Sequence, residues 1–444
     1  MADDITSGRT RRMLSVGGLT TSVGGSYLWQ VLRRPFRSVE SAEQALLATH
    51  IRNAERVVAR SAELRGAFMK VAQLLSMRGD LFPAEALDVL KVVQSSVPPM
   101  PYARVREVLV AELGGPPEQR FHRFEEEAFA AASLGQVHRA ELRPGERVAV
   151  KVQYPGVADT VHQDLRNVRA LLRVFAGIAR DIMRQDVDVE AVATELEERL
   201  AEELDYRNEA RNLVLFRRLL ASDREVRVPA VHADLSTARV LTMEYLEGYP
   251  LQDVLAPGVD QETKDWVAKK LFVLLWRQLL ELGVLHTDPH PGNYLVTHHP
   301  RLVLLDFGAV RRFEPAVRRG YLRLARGLLA RDDREIGAAC LDLGFTVGDP
   351  QGFVAIMHVI CEPLEQDAPY DPRAYDLVAR GIEVTELAVA HRQFRSPGHH
   401  VFLLRALAGL DGYLKAAGTV YNWHRLFRRI VDAVPDVPET EEGA

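Results

Sequence analysis

His286-Thr287-Asp288-Pro289-His290-Pro291-Gly292-Asn293 is the stretch whose reading settles the fold class, with Asp306-Phe307-Gly308 closing the next apolar strand. Pro and Gly punctuate the octapeptide, so it is a loop. A long amphipathic helix (262–283) leads into it. A short strand (YLVT), a turn (HHPR) and an apolar strand (LVLLDFG) lead away from it. Asp288 and Asn293 stand five positions apart, and His286 comes two before the aspartate. Asp306 adds a second carboxylate. Carboxylate and carboxamide oxygens are the hard donors that hold a small divalent cation. Reactions that concentrate negative charge on transferring oxygens need such a cation to offset it.

The ordered set H-x-D-x-x-x-x-N, a strand, then D-F-G has the form of the kinase catalytic and metal-binding loops. There the Asp of the first loop orients or deprotonates the acceptor, and the Asn and the D-F-G Asp bind Mg²⁺. By that pattern Asp288 is the catalytic-loop residue and Asn293 and Asp306 are the metal ligands. A lone D-F-G is weak evidence, whereas the ordered set is specific. His286, His290, His298 and His299 also invite a zinc reading, but their spacing fits no common zinc pattern.

Upstream, Lys151 ends V-A-V-K in the strand RVAVKVQY (147–154), the form of the kinase lysine that neutralises the α/β-phosphates. Only seven of the 56 basic residues are lysine: Lys70, Lys91, Lys151, Lys264, Lys269, Lys270 and Lys415. A lysine kept inside a motif of so arginine-rich a chain carries weight against the alternative of an exposed edge-strand lysine. Such a lysine needs an acidic partner on a helix, and LAEELDYRNEAR offers several. Glu202 and Glu209 are seven apart and Asp205 and Glu209 four apart, so each pair shares a helix face. Glu209 is assigned as the partner, with Glu195, Glu197 and Glu198 as a solvated face. Met243, Glu244 and Tyr245 close the strand ARVLTMEY and complete the cofactor-binding candidates.

A kinase covers the phosphates with G-x-G-x-x-G before the lysine strand. This chain has Phe129-Ala130-Ala131-Ala132-Ser133-Leu134-Gly135-Gln136-Val137-His138 there instead. Alanine lacks the φ freedom of glycine, so the loop cannot be a full copy. Its backbone N–H groups remain available in principle to a phosphate. No G-x-x-x-x-G-K-[ST] occurs, which excludes a P-loop enzyme. No A-P-E follows D-F-G, which disfavours a conventional protein-substrate platform.

The remainder of the chain bounds these readings. It has 444 residues, 47% hydrophobic and 26% charged, which is ample for a sizeable core and excludes wholesale disorder. The formal charge of −5 argues against a nucleic-acid binder. Cys340 and Cys361 cannot make a disulfide framework and suit a reducing compartment. Asp3 and Asp4 spoil a signal peptide. Met13–Leu32 carries no charge and is flanked by arginines, which is the length of a membrane span. Its many Gly, Ser and Thr equally suit a connector folded on the body. Residues 41–114 and 187–221 read as helical by their period, and 314–432 as mostly helical. The residues after Pro435 read as a disordered acidic tail.

Together these residues resemble the ABC1/UbiB/COQ8 atypical kinase family, whose eukaryotic members are also called ADCK proteins. AAASLGQVH, VAVKVQYPGV, EELDYRNEA, TDPHPGN and LLDFGA carry the resemblance from 129 to 310. RGAFMKVAQLLSMRGD (65–80) is similar to the family's K-x-G-Q motif, with Lys70 and Gln73 in place and Ala72 where the family has glycine. SVGGL near the N-terminus resembles the glycine-rich part of COQ8-like members. The two C-terminal membrane helices of bacterial UbiB have no counterpart. The resemblance implies that Lys151 holds the α/β-phosphates and pairs with Glu209. It implies that Asn293 and Asp306 bind Mg²⁺, that Asp288 fills the catalytic-loop position, and that Ala130, Ala131, Ala132 and Ser133 cover the nucleotide. It also implies that Lys70 and Gln73 lie over the active site with Glu203 and Asp205 as the E-x-D partners, an arrangement that occludes a protein substrate.

The expected fold is α+β: two-lobed and protein-kinase-like, with an N-terminal helical extension and a mostly helical C-lobe. The expected organisation is a Gly-rich segment (1–40), the helical extension (41–120), an N-lobe (121–248), a C-lobe (249–434) and an acidic tail (435–444). The expected activity is ATP hydrolysis or phosphoryl transfer with ATP and Mg²⁺, supporting ubiquinone or another isoprenoid lipid at a membrane. The expected partners are the nucleotide, an isoprenoid or phenolic lipid and an anionic membrane. No nucleic acid is expected, and a homodimer is left open. The expected location is cytoplasmic, with peripheral membrane contact. The alternatives are an aminoglycoside- or choline-type phosphotransferase, a true protein kinase and a non-catalytic nucleotide-gated scaffold.

Overall fold

A computed structural model describes residues 100–132, 134–157, 194, 197, 201, 203–347, 350–374, 394–395 and 397–436. Met13–Leu32, Lys70, Ala72, Gln73, Glu202, Ser133 and the end of the acidic tail lie outside the described residues. The described chain forms two compact units. One holds the described residues up to Ala210 together with Val231–Tyr245. The other holds Arg211–Ala230 and the described residues from Leu246 onward.

The first unit is built on helix α1 (Tyr102–Leu113) and a four-stranded antiparallel sheet. Its strands are β1 (Arg123–Ala132), β2 (Gly135–Glu141), β3 (Arg147–Gln153) and, after helix α2 (Tyr206–Leu219) and strand β4 (Val226–Arg227), β5 (Val240–Glu244), in the order β1-β2-β3-β5. Val105, Val108, Leu109 and Leu113 of α1 pack on Val148, Val150 and Val152 of β3 and Val240 of β5. Burial of each such side chain is worth about 1.5–3 kcal/mol. Gly114 ends α1 in the left-handed region, at φ 70. Because side chains alternate along a strand, the valines of β3 leave Ala149, Lys151 and Gln153 on its other face.

The alanine-rich stretch is not a loop as expected. Ala130, Ala131 and Ala132 are paired strand residues opposite Val137, Gln136 and Gly135, so the strand runs on to Ala132. Small side chains suit this edge, where Ala130 and Ala131 lie exposed. The helix expected across 187–221 also breaks. Residues 203 and 204 are helical, Asp205 is not, and α2 starts afresh at Tyr206. Asp205 Oδ1 accepts the Arg207 N–H at 3.0 Å, the local bond by which Asp starts helices and interrupts them.

In the second unit β4 runs parallel to β9 (Leu302–Leu304), which pairs with β8 (Tyr294–Val296) and it with β6 (Tyr249–Pro250). Between β6 and β8 come helix α3 (Gln261–Arg277) and β7 (Val284–His286). β7 pairs with β10 (Val310–Arg312). The last turn of α3 widens into a π turn over Gln278–Leu282 and stops at Gly283, φ 66. Helices α4 (Pro315–Ala330), α5 (Asp333–Asp342), α6 (Pro350–Glu365), α7 (Gly398–Ala417) and α8 (Trp423–Ala433) follow, as the period predicts. The exception is a ribbon of β11 (Thr346–Val347) and β12 (Phe394–Arg395), too short to show a period. The rings of Trp423 and Phe427 of α8 pack at a tilt against Phe272 and Trp276 of α3, at 5.0 and 4.6 Å, which makes this the aromatic centre of the unit. Among the described residues no helix is long and apolar enough to cross a membrane.

Candidate active site

In the first unit Lys151 Nζ donates to both carboxylate oxygens of Glu209, at 2.8 and 2.9 Å. The side chains are only 8% and 4% exposed. β3 presents the lysine on the face away from α1, and the first turn of α2 presents the glutamate. The Tyr206 ring lies 5.3 Å from Nζ and adds a cation–π contact. The start of α2 is tied to the sheet twice, since Tyr206 N donates to Ala238 O at 2.9 Å and Gln153 Nε2 to Leu204 O at 2.8 Å. Of the acids offered by the sequence, the structure therefore joins Glu209 to Lys151. Glu203 and Asp205 lie half-buried just before α2. Their expected partners, Lys70 and Gln73, are outside the described residues.

Met243 is buried on β5, and Glu244 and Tyr245 follow at its end. The Tyr245 N–H is committed to Arg147 O at 3.1 Å, and its ring meets the Arg139 and Arg147 guanidinium groups at 5.5 and 5.3 Å. At the hairpin, a Cβ on Gly135 would meet Val152 O at 2.2 Å, so the close approach of β3 demands this glycine.

In the second unit the loop after β7 brings Asp288 and Asn293 together. Asn293 Nδ2 donates to Asp288 Oδ2 at 3.0 Å and to its carbonyl at 3.2 Å. Asn293 ends the 3₁₀ turn Pro291–Asn293, started by His290, whose Nδ1 accepts the Gly292 N–H at 3.1 Å. His290 thus shapes the loop. Asp306 follows β9, and its Oδ1 accepts the Gly308 N–H at 2.9 Å. His286 Nε2 is hydrogen-bonded to the Asp306 carbonyl, and the His286 N–H donates to Gln278 Oε1 at 2.8 Å. Phe307 is fully buried, edge-on to His286 at 5.3 Å and against Phe216 of α2 at 4.7 Å. Asn212 Nδ2 donates to the Phe307 carbonyl at 3.0 Å. His286 and Asp306 thus form one bonded pair and Asp288 and Asn293 another, and the Leu305 N–H, donating to the Asn293 carbonyl at 3.0 Å, ties the two segments together.

The sequence reading did not find three residues of α7. Arg405 Nη2 lies 2.7 Å from Asp288 Oδ1, the Tyr413 hydroxyl donates to the Pro289 carbonyl, and Gly409 sits against Pro289. Their spacing of four marks one helix face, but nothing in it names the loop as partner. A cavity of about 30 Å³ beside the loop is lined by Gln278, His286, Pro289, Tyr294 and Tyr413 among others.

The donor set fits magnesium. Asn293 commits its nitrogen to Asp288, so its carboxamide oxygen is the atom that would serve a metal, and Asp306 would add a carboxylate. Mg²⁺ takes one or two protein oxygens and completes its shell with water and phosphate. Among the described residues no three His, Cys, Asp or Glu side chains are grouped to hold a metal, so the histidines form no zinc cluster there.

Residues 92–340 match the family model described as the ABC1 atypical kinase-like domain. The chain is similar to the mitochondrial atypical kinase COQ8B of Rattus norvegicus, at 33% identity over 91% of this chain and 77% of that protein. It is similar to COQ8B of Danio rerio, at 31% identity over 90% of this chain and 65% of that one. It also resembles the atypical kinase coq-8 of Caenorhabditis elegans, at 31% identity over 92% and 55%. Among solved structures it is similar to the Mycobacterium tuberculosis protein Rv3197 in complex with erythromycin. That match has 27% identity and a TM-score of 0.58, covering 88% of this chain and 98% of that one.

Proposed function

The chain belongs to the ABC1 atypical kinase-like family, and from that premise we propose that it binds ATP with Mg²⁺ and either hydrolyses it or transfers its phosphoryl group. The purpose is the metabolism of ubiquinone or another isoprenoid lipid at a membrane surface. The observation that carries this reading is the Lys151–Glu209 pair, closed in bidentate form and nearly excluded from water. A buried ion pair returns little stability for its desolvation, so a site reaction is the better reason to keep one.

In this reading Lys151, steadied by Glu209, places its charge on the α/β-phosphates, and Asn293 and Asp306 hold the metal. Magnesium bound there neutralises phosphate charge and fixes the orientation of the phosphoryl group. Asp288 orients Asn293. Gly308 and His286 hold Asp306 from its carboxylate and carbonyl sides. Ala130, Ala131 and Ala132 offer a strand edge over the nucleotide. Lys70 and Gln73, with Glu203 and Asp205, exclude a protein substrate. Met13–Leu32 makes the membrane contact, which suits a peripheral location.

The test is ATP turnover by wild type and Asp306→Asn with Mg²⁺, with and without anionic liposomes and a phenolic quinone-precursor analogue. Wild-type hydrolysis stimulated by lipid or phenol and absent from Asp306→Asn is the expected result. Nucleotide binding with no turnover in any condition would leave a nucleotide-gated scaffold instead.

A further inference from the structure

Helix α7 meets the catalytic loop on three successive turns. Arg405, two turns in, pairs with Asp288 Oδ1 at 2.7 Å, with the two side chains 24% and 18% exposed. One turn on, a Cβ at Gly409 would lie 2.1 Å from Pro289 Cβ, so the helix backbone rests directly on the loop. One turn further, Tyr413 donates its hydroxyl to the Pro289 carbonyl. Ala406 and Leu410, which flank this face on one side, are buried and anchor it.

The consequence is visible at Asp288. Its Oδ1 is bound by Arg405 and its Oδ2 by Asn293 Nδ2. A carboxylate with one oxygen on a guanidinium and the other on an amide is disposed to hold its neighbours in place. The amide it holds is the one whose oxygen serves as metal ligand. We propose that α7 is a positioning bracket for the catalytic loop, and that Arg405, acting through Asp288, is a positioning residue for the carboxamide oxygen of Asn293. The proposal rests on the Mg²⁺–nucleotide reading above and adds residues 117 positions from the loop to it.

The test uses the full chain and two binding measurements: Mn²⁺ affinity by electron paramagnetic resonance, and affinity for a fluorescent ATP analogue with Mg²⁺ or with excess EDTA. Partners that orient a metal ligand carry roughly 10–100-fold of metal affinity, so Arg405→Met should weaken Mn²⁺ binding by about that factor while shifting EDTA-state nucleotide affinity by less than about twofold. Arg405→Lys, which keeps the charge and loses the fork, should fall between. Gly409→Ala, which keeps every polar group and drives a methyl into Pro289, should weaken Mn²⁺ binding in the same selective way. Unchanged Mn²⁺ affinity in Arg405→Met overturns the proposal. So does a parallel fall in metal-free nucleotide affinity, which would mark general damage. If Arg405→Met does not fold, Arg405→Lys and Gly409→Ala decide by the same two criteria. A wild type that binds neither Mn²⁺ nor nucleotide overturns the functional reading itself, which separates that failure from failure of the bracket alone.

Discussion

At Lys151 a cation and a carboxylate are withdrawn from water together, and neither is tolerable without the other. Lys151→Met takes the cation away from the buried Glu209 carboxylate, so a loss of about 3–5 kcal/mol is expected in urea denaturation. The double variant Lys151→Met/Glu209→Leu should recover most of it, while nucleotide binding stays lost. His400 makes a pH-dependent contribution. Burial, aided by the neighbouring His399, pushes its pKa down to about 4 from 6.5. The unfolded chain therefore takes up the proton first, and the contribution of His400 is present above pH 6.5 and is lost as pH falls toward 4. The change is on the order of 3 kcal/mol. His400→Phe should flatten that acid limb in a stability–pH series; an unchanged limb would place the proton uptake elsewhere. Lys151 and Asp288 were legible at this scale because their motifs are local. Arg405 was not, because an arginine on a helix announces no partner.

Elements carry the site through their ends. The π turn after α3 places Gln278 so that its carboxamide takes the His286 N–H. Gln278→Leu should cost about 1–3 kcal/mol, because it leaves that donor buried and unsatisfied. It should also lower metal-dependent nucleotide affinity, since His286 holds the Asp306 carbonyl. The C-cap of α4 is Arg331 in the left-handed region, at φ 52. Arg331→Gly should raise stability by up to about 1 kcal/mol, read as a higher denaturation midpoint. Helices α1, α3 and α4–α8 were readable from their period, and β3 from its alternation. The break at Asp205 was not, because 187–221 keeps a helical period through it and only the Asp205–Arg207 bond shows where α2 restarts. The Ala130–Ala132 segment misleads in the opposite sense, since alanine is a poor strand former in isolation and pairing with β2 overrides it.

For the whole molecule, ligand linkage is the most direct probe. If ATP and Mg²⁺ bind only the folded chain, a hundredfold excess over Kd stabilises it by about 2.7 kcal/mol. Thermal unfolding should show a rise with both together that Asp306→Asn abolishes. Membrane contact is tested by flotation with anionic liposomes, with and without residues 1–37; equal flotation removes Met13–Leu32 from the mechanism. The boundary between the compact units falls inside α2, after Ala210. No linker composition marks a boundary placed within a continuous helix.

The sequence by itself determined the loop H-x-D-x-x-x-x-N, the strand that ends in D-F-G, the lysine on its strand and the helical character of the C-terminal half. Each depends on turn chemistry or side-chain period acting over a few residues. Only the tertiary structure decided that Arg405, Gly409 and Tyr413 grip the Asp288-Pro289 loop, that Gln278 receives the His286 N–H, and that Phe216 and Asn212 meet Phe307. These choices join segments distant in the chain. They are settled by which buried polar groups can be satisfied and which surfaces pack when helices and strands close on one another, and local propensity holds no record of that.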